Sequence, residues 1–331
     1  MKLTGIISSM LAASLCLSVL CCGCTNTNET GHTKDDDGTK TVKKLPEDEV
    51  LIISGHHNMA WGYQNSISYV MSDGSVYSSQ VFFDGYPGGS DRSLTDEERL
   101  AVLRKYTLPV TTVDKDQLLR IYNKVLNIDP DAKFVYSDET ACDAGTGYTK
   151  VNVKGEWVNI SEDGDQNGEL DDRYARKANV LIDAAFKDAY KTRKNSPGVY
   201  SGYETFIGTF ECTRTPSKDT KRIITSTDDI KALEKDTGID LRNNESFENF
   251  FGEYSSFEWC CIAVEVVTYP EYLSLDDVSA DAFVVADNYV GFAYLEDPVI
   301  DVSDDVVPQK CYCHVVQLPG YNVEDYGLFL K

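Results

Sequence analysis

From residue 50 onward the chain is cut into short apolar runs, and this punctuation constrains its fold more than any other feature. Val50–Ser54, Phe134–Tyr136, Trp259–Thr268, Ala282–Ala286, Val290–Leu295 and Cys311–Leu318 are rich in β-branched and aromatic residues and bounded by Asp, Asn, Pro or Gly. Runs of this length and composition read as strands. Ile67 to Tyr77 reads as a hairpin around Asp73-Gly74, and Tyr148 to Ile160 as a second one. Between them lie helices with explicit start signals. Thr95-Asp-Glu-Glu98 is a capping box that predicts a helix to about Tyr106, and Asp114 opens another carrying Leu118, Leu119, Tyr122 and Val125. A third, over about 172–190, puts Ala178, Leu181, Ile182, Ala185 and Phe186 on one face. A fourth starts at Ser226 or Thr227 and carries Ile230 and Leu233.

Strands cluster instead of alternating regularly with helices, so the expected class is α+β. The stretch 191–203 stacks charge, Pro197 and Gly198 and reads as a boundary. It separates a mixed α+β region at 49–192 from a strand-rich α+β region at 200–331. Composition limits the partners. With 31 Lys+Arg against 54 Asp+Glu the formal charge is −23, and 42% of residues are hydrophobic. That is too apolar for a disordered chain and too acidic for a nucleic-acid binder, which needs a basic face. It equally disfavours broad electrostatic binding to anionic lipid.

The N-terminus carries an address. Lys2 precedes an apolar run from Ile6 to Leu20, followed by Cys21-Cys22-Gly23-Cys24. A short positive start, a short apolar stretch and small residues form an export signal. The segment resembles the lipobox of bacterial lipoprotein precursors. The resemblance implies cleavage after Gly23 and a lipid anchor on Cys24, with residues 1–23 as signal peptide. It places the protein outside the cytoplasm, attached to the membrane. The alternative is an ordinary signal peptide cut near Gly23 or Cys24, which gives a secreted protein. Residues 24–48 are polar, almost free of apolar side chains, and read as a disordered tether.

Gly55 to Asn65 is the densest stretch of reactive and amphipathic side chains. It holds His56, His57, Asn58, Trp61 and Tyr63 just after a strand end, where binding residues are common. These five are candidate ligand contacts. Adjacent histidines on a strand point to opposite faces, which argues against a shared metal. A structural reading leaves one histidine in the core and the other on the surface. A catalytic reading makes His56 or His57 the general base or metal ligand of an extracytoplasmic hydrolase.

Asp163-Gly-Asp165-Gln-Asn167-Gly168-Glu169-Leu-Asp171 resembles the calcium loop of EF-hand and dockerin modules. By residue match, Asp163, Asp165, Asn167, Glu169 and Asp171 would supply oxygens, which implies a possible structural calcium. Tyr174 stands where that loop carries its last carboxylate. The competing reading is a polar strand-to-helix connection with Asp171 or Asp172 as helix cap. Beyond the signal the chain has six cysteines: Cys142, Cys212, Cys260, Cys261, Cys311 and Cys313. They are open to disulfides, among them Cys260 or Cys261 with Cys311 or Cys313, or to packing as buried reduced thiols. A zinc cluster with His314 is disfavoured, because that imidazole faces away from Cys311 and Cys313 on a strand. No nucleophile motif stands out. The expectation is therefore a membrane-anchored, non-enzymatic protein that binds an envelope glycan, peptide or protein partner, with the hydrolase as the alternative.

Overall fold

The computed structural model describes residues 40–331 except 61, 84–93, 203, 217–220, 252–256, 259, 301–307 and 321–322. The export signal and Cys24 lie outside the described residues, as does Trp61. The strands are β1 (Val50–Asn58), β2 (Tyr63–Met71), β3 (Ser75–Phe83), β4 (Thr111–Thr112), β5 (Phe134–Thr140), β6 (Thr146–Val153), β7 (Glu156–Gly164) and β8 (Gln166–Leu170). The chain continues with β9 (Gly198–Tyr200), β10 (Ile207–Glu211), β11 (Lys221–Ile224), β12 (Cys260–Pro270), β13 (Ala282–Ala286), β14 (Tyr289–Ala293) and β15 (Gln309–Pro319). The helices are α1 (Asp96–Tyr106), α2 (Lys115–Val125), α3 (Arg173–Ala189), α4 (Thr227–Thr237), α5 (Glu245–Phe251) and α6 (Leu275–Val278). The class is mixed α+β and strand-rich, as expected.

β1 to β8 build an eight-stranded sheet in the order β4-β3-β2-β1-β6-β7-β8-β5, and its ladders are antiparallel. The hairpin at Asp73-Gly74 forms because Gly74 takes φ +92°, a left-handed conformation that costs glycine little. Its N–H closes the turn on the Met71 carbonyl at 2.9 Å. Two further sheets, β10-β15-β12-β11 and β14-β13-β9, form from the second half of the chain.

Strand alternation gives the large sheet two different faces. On one, Ile52, Val70, Val76 and Val151 pack against α2 and α3, which bury Leu118, Ile121, Val125, Ala178, Ile182 and Ala185. The helices are held at their starts by the Asp114 and Asp172 carboxylates, each accepting two backbone N–H groups. On the other face, Ile53, Ile67 and Tyr69 meet α1 through Leu100 and Leu103. The same cluster takes in Val199, Ala282, Val284 and Ala293 of the smallest sheet. β12 and β15 form the spine of the remaining sheet, one side of which packs on α4 through Ile230 and Leu233.

Two stretches differ from expectation. Within the segment 191–203, read as a boundary, residues 197–202 are buried: Val199 and Ser201 are fully buried and the Pro197 carbonyl accepts from Gln80 N–H at 2.9 Å. Its Pro and Gly shape a short strand, β9, which pairs with β13. The tether reading holds at most up to residue 39, because the chain is docked from Lys40. Asn123 on α2 and Asn127 in the turn just after it each clamp a backbone peptide. Asn127 Oδ1 accepts from Lys40 N–H at 2.8 Å and its Nδ2 donates to the Lys40 carbonyl at 2.7 Å. Asn123 does the same for Val42, at 2.7 and 3.1 Å. Polar composition hides this docking, because its hydrogen bonds come from distant amides and not from apolar side chains.

Candidate functional site

The residues singled out at 56–63 divide between the two faces of the large sheet. β1 runs to Asn58, so His56 and His57 lie within the strand and not beyond its end. His57 faces the α1 side, where its ring meets the Tyr63 ring edge-on with centroids 5.3 Å apart. Its pKa is lowered by burial and, secondarily, by His56. His56 takes the opposite face. Neither imidazole makes a hydrogen bond to a described residue, so no acid or hydroxyl orients either as a base. Asn58 is structural: its amide donates to the Asp143 carbonyl at 3.0 Å and its Oδ1 accepts from Ala60 N–H at 2.7 Å.

Tyr63 leads to a cleft. Between the large sheet, the start of α1 and the turn at 201–204 lies a cavity of about 240 Å³, lined by Tyr63, Asn65, Ile67, Leu94, Asp96, Arg99, Tyr148 and Glu204. Its floor is an ion pair inside the protein. Arg99 is 6% exposed and Glu204 1%. The guanidinium donates to Glu204 Oε1 and, at 2.9 Å, to the Val199 carbonyl. The second carboxylate oxygen accepts from the Ser201 N–H at 3.0 Å and from its hydroxyl. Burial alone would lower the Arg99 pKa, but Glu204 outweighs it and holds the guanidinium above its ordinary value. Both charges are thus satisfied, as buried charges must be.

Asp96 sits in the first turn of α1 and accepts the Tyr69 hydroxyl at 3.2 Å. The Asn65 amide donates to the Tyr63 hydroxyl at 3.1 Å, and no hydrogen bond to a described residue uses its carbonyl oxygen. Tyr148 forms the opposite wall. Burial, reinforced by Asp96, pushes its pKa up to about 12, so its hydroxyl keeps its proton. It makes no hydrogen bond to a described residue. The ring reaches the cleft because Gly55 is its cross-strand partner. A Cβ on Gly55 would stand 2.5–2.8 Å from the ring carbons and hydroxyl of Tyr148. Gly55→Ala is therefore expected to push the ring aside and cost about 1–3 kcal/mol of stability. Urea unfolding reads the cost, and an unchanged midpoint would show that the ring does not depend on this glycine.

No protein family, curated protein or solved structure matches this chain. The site therefore rests on geometry alone.

The acidic stretch at 163–171 is a strand hairpin. Asp163 ends β7 with its carboxylate over Gly147, where a Cβ would come within 1.9 Å of it. Asp165 Oδ1 accepts from Ala144 N–H at 2.8 Å, and Asn167 Oδ1 from Gly164 N–H at 3.3 Å. Glu169 and Asp171 both pair with Arg176, at 3.4 and 3.1 Å. Asp163, Asp165 and Asn167 thus serve separate groups, while Glu169 and Asp171 share Arg176. Among the described residues no three His, Cys, Asp or Glu side chains are grouped to hold a metal ion. Asp172 caps the following helix as one reading expected, but the stretch before it is the strand β8 and not a loop.

None of the six cysteines among the described residues is in a disulfide. The pairing weighed for Cys260 or Cys261 with Cys311 or Cys313 is excluded by register. Cys261 lies opposite Leu318 and Cys313 opposite Val266, five positions or roughly 16 Å apart along the ladder. Cys311 instead stands beside Cys212, whose N–H donates to the Cys311 carbonyl at 2.9 Å. His314 faces the other way, buried between the Thr209 hydroxyl at Nδ1 (2.9 Å) and the Tyr294 hydroxyl at Nε2 (3.1 Å).

Of the cleft's lining, only Tyr63 was singled out from the sequence. Arg99 left a trace there, since Asp96, Arg99 and Leu103 share one face of α1 and a cation sits on the buried stripe. Its partner Glu204 lies 105 residues away and left none.

Proposed function

We propose that this chain is a lipid-anchored extracytoplasmic binding protein whose recognition site is the cleft between Asn65, Asp96 and Tyr148. The anchor reading rests on the lipobox-like Leu20 to Cys24. The observation that carries the binding reading is the cleft itself: a small, mainly polar cavity whose floor is a fully paired buried ion pair. Such a floor is preorganised, so a ligand meets fixed polar groups with little ordering left to do. The same pairing argues for binding over catalysis, because Arg99 and Glu204 already saturate each other and neither histidine has an orienting partner.

Two measurements test this. Labelled fatty acid should enter the wild-type protein in a bacterial host and not Cys24→Ser, which should leave the membrane fraction; equal labelling of both would remove the anchor. The purified wild-type protein should capture ligands from arrays of envelope glycans and peptides, and Tyr148→Ala should lose that capture. Capture unaffected by Tyr148→Ala would move the site elsewhere.

A further inference from the structure

The charges around the cleft narrow what can enter it. Arg99, Glu204 and Asp96 put one cation and two anions within the same wall. A cationic ligand meets the guanidinium and an anionic one the two carboxylates, and each would have to shed water to do so. The paired groups have little capacity left for either. Three uncharged or partly used functions remain on residues of the lining: the Tyr148 hydroxyl as a donor, the Asn65 carbonyl as an acceptor, and the Asp96 oxygen that Tyr69 does not occupy.

The lining thus holds both a donor and acceptors. A hydroxyl group suits such a wall because each O–H both donates and accepts. At about 30 Å³ per water, 240 Å³ holds roughly eight waters, the scale of one ring with its hydroxyls and not of a chain.

We infer that the cleft takes a neutral polyhydroxylated ring, a single sugar residue, hydrogen-bonded by Tyr148, Asn65 and Asp96. This rests on the binding reading above and specifies its ligand. The residue can be a free monosaccharide or the end of a longer glycan, since both present the same ring.

The test uses the purified protein in detergent, titrated with neutral hexoses, pentoses and N-acetylhexosamines, and in parallel with ethanolammonium and acetate. Thermal shift and protein NMR are the readouts, and immobilised glycans ending in the same sugars form a second arm. At least one neutral sugar should bind. Tyr148→Phe and Asn65→Leu should each weaken it at least tenfold, while the exposed Lys177→Gln leaves it unchanged. Tighter capture of the immobilised form would assign a glycan end, and equal affinity a free sugar. If only a charged probe binds, and Tyr148→Phe weakens it, the sugar assignment is overturned and the cleft stands. If a sugar binds wild type, Tyr148→Phe and Asn65→Leu alike, the assigned contacts are wrong. If nothing binds, both the sugar assignment and the cleft as recognition site fall.

Discussion

Arg99→Met should lower stability by about 3–5 kcal/mol, because it leaves the Glu204 carboxylate buried without its counter-charge. Glu204 is 1% exposed, and its remaining partners are the N–H and hydroxyl of Ser201. Those two donors do not compensate a full negative charge inside the protein. The Val199 carbonyl also loses its donor, which adds a buried unsatisfied acceptor. For a chain of this size the melting temperature should fall on the order of 10 °C. The double variant Arg99→Met/Glu204→Leu should recover most of the loss, since an apolar pair of similar volume removes the desolvation cost of both ions. Urea unfolding of the wild type, both single variants and the double variant measures the coupling directly. Additive losses would show that the pair does not act as a unit.

The second large effect concerns pH. Burial lowers the His314 pKa to about 4, against about 6.5 for a free imidazole. In the folded protein the ring is neutral, with both nitrogens bonded to the Thr209 and Tyr294 hydroxyls and the Phe292 ring 5.3 Å away. In the unfolded chain it takes up a proton near pH 6.5. Between those two values the unfolded state binds more protons, so stability falls as pH falls through the window. Below about pH 4 both states are protonated and the slope ends. The full window is worth about 3 kcal/mol at 1.36 kcal/mol per unit. His314→Gln should be less stable than wild type at pH 7 and should lack this share of the acid sensitivity between pH 6.5 and 4. Equal slopes for the two proteins would contradict the assignment, as would an imidazole resonance of His314 titrating near pH 6.5 in the folded state.

Local chemistry made much of the fold legible. α1, α2, α3 and α4 begin where Thr95, Asp114, Asp172 and Ser226 can accept N–H groups of the first turn, and such caps act within three residues. The Asp73-Gly74 turn depends on one glycine. β12, β13 and β15 follow from runs of β-branched and aromatic residues, which pack well on a pleated surface. β8, β9 and β11 were not anticipated, because Gln166–Leu170, Gly198–Tyr200 and Lys221–Ile224 are too short or too polar to show a pattern. They are strands because neighbours pair with them.

The candidate site was much less legible. Choosing His57 over His56 depends on which face of β1 meets Tyr63, and bringing Tyr148 to the cleft depends on β6 pairing beside Gly55. The thiol arrangement turned on a register that residue type does not encode.

The sequence by itself determined the α+β character, the starts of the helices and the excess of negative charge. These depend on interactions between residues a few positions apart, or on composition. Tertiary structure alone decided the Arg99–Glu204 floor, the position of Tyr148 over Gly55, the docking of Lys40 and Val42 on α2, and the separation of the acidic side chains at 163–171. Each joins groups distant in the chain, or splits groups that are adjacent. In every case the outcome was set by strand register, by which face a residue occupies, and by the need of buried polar groups to find partners.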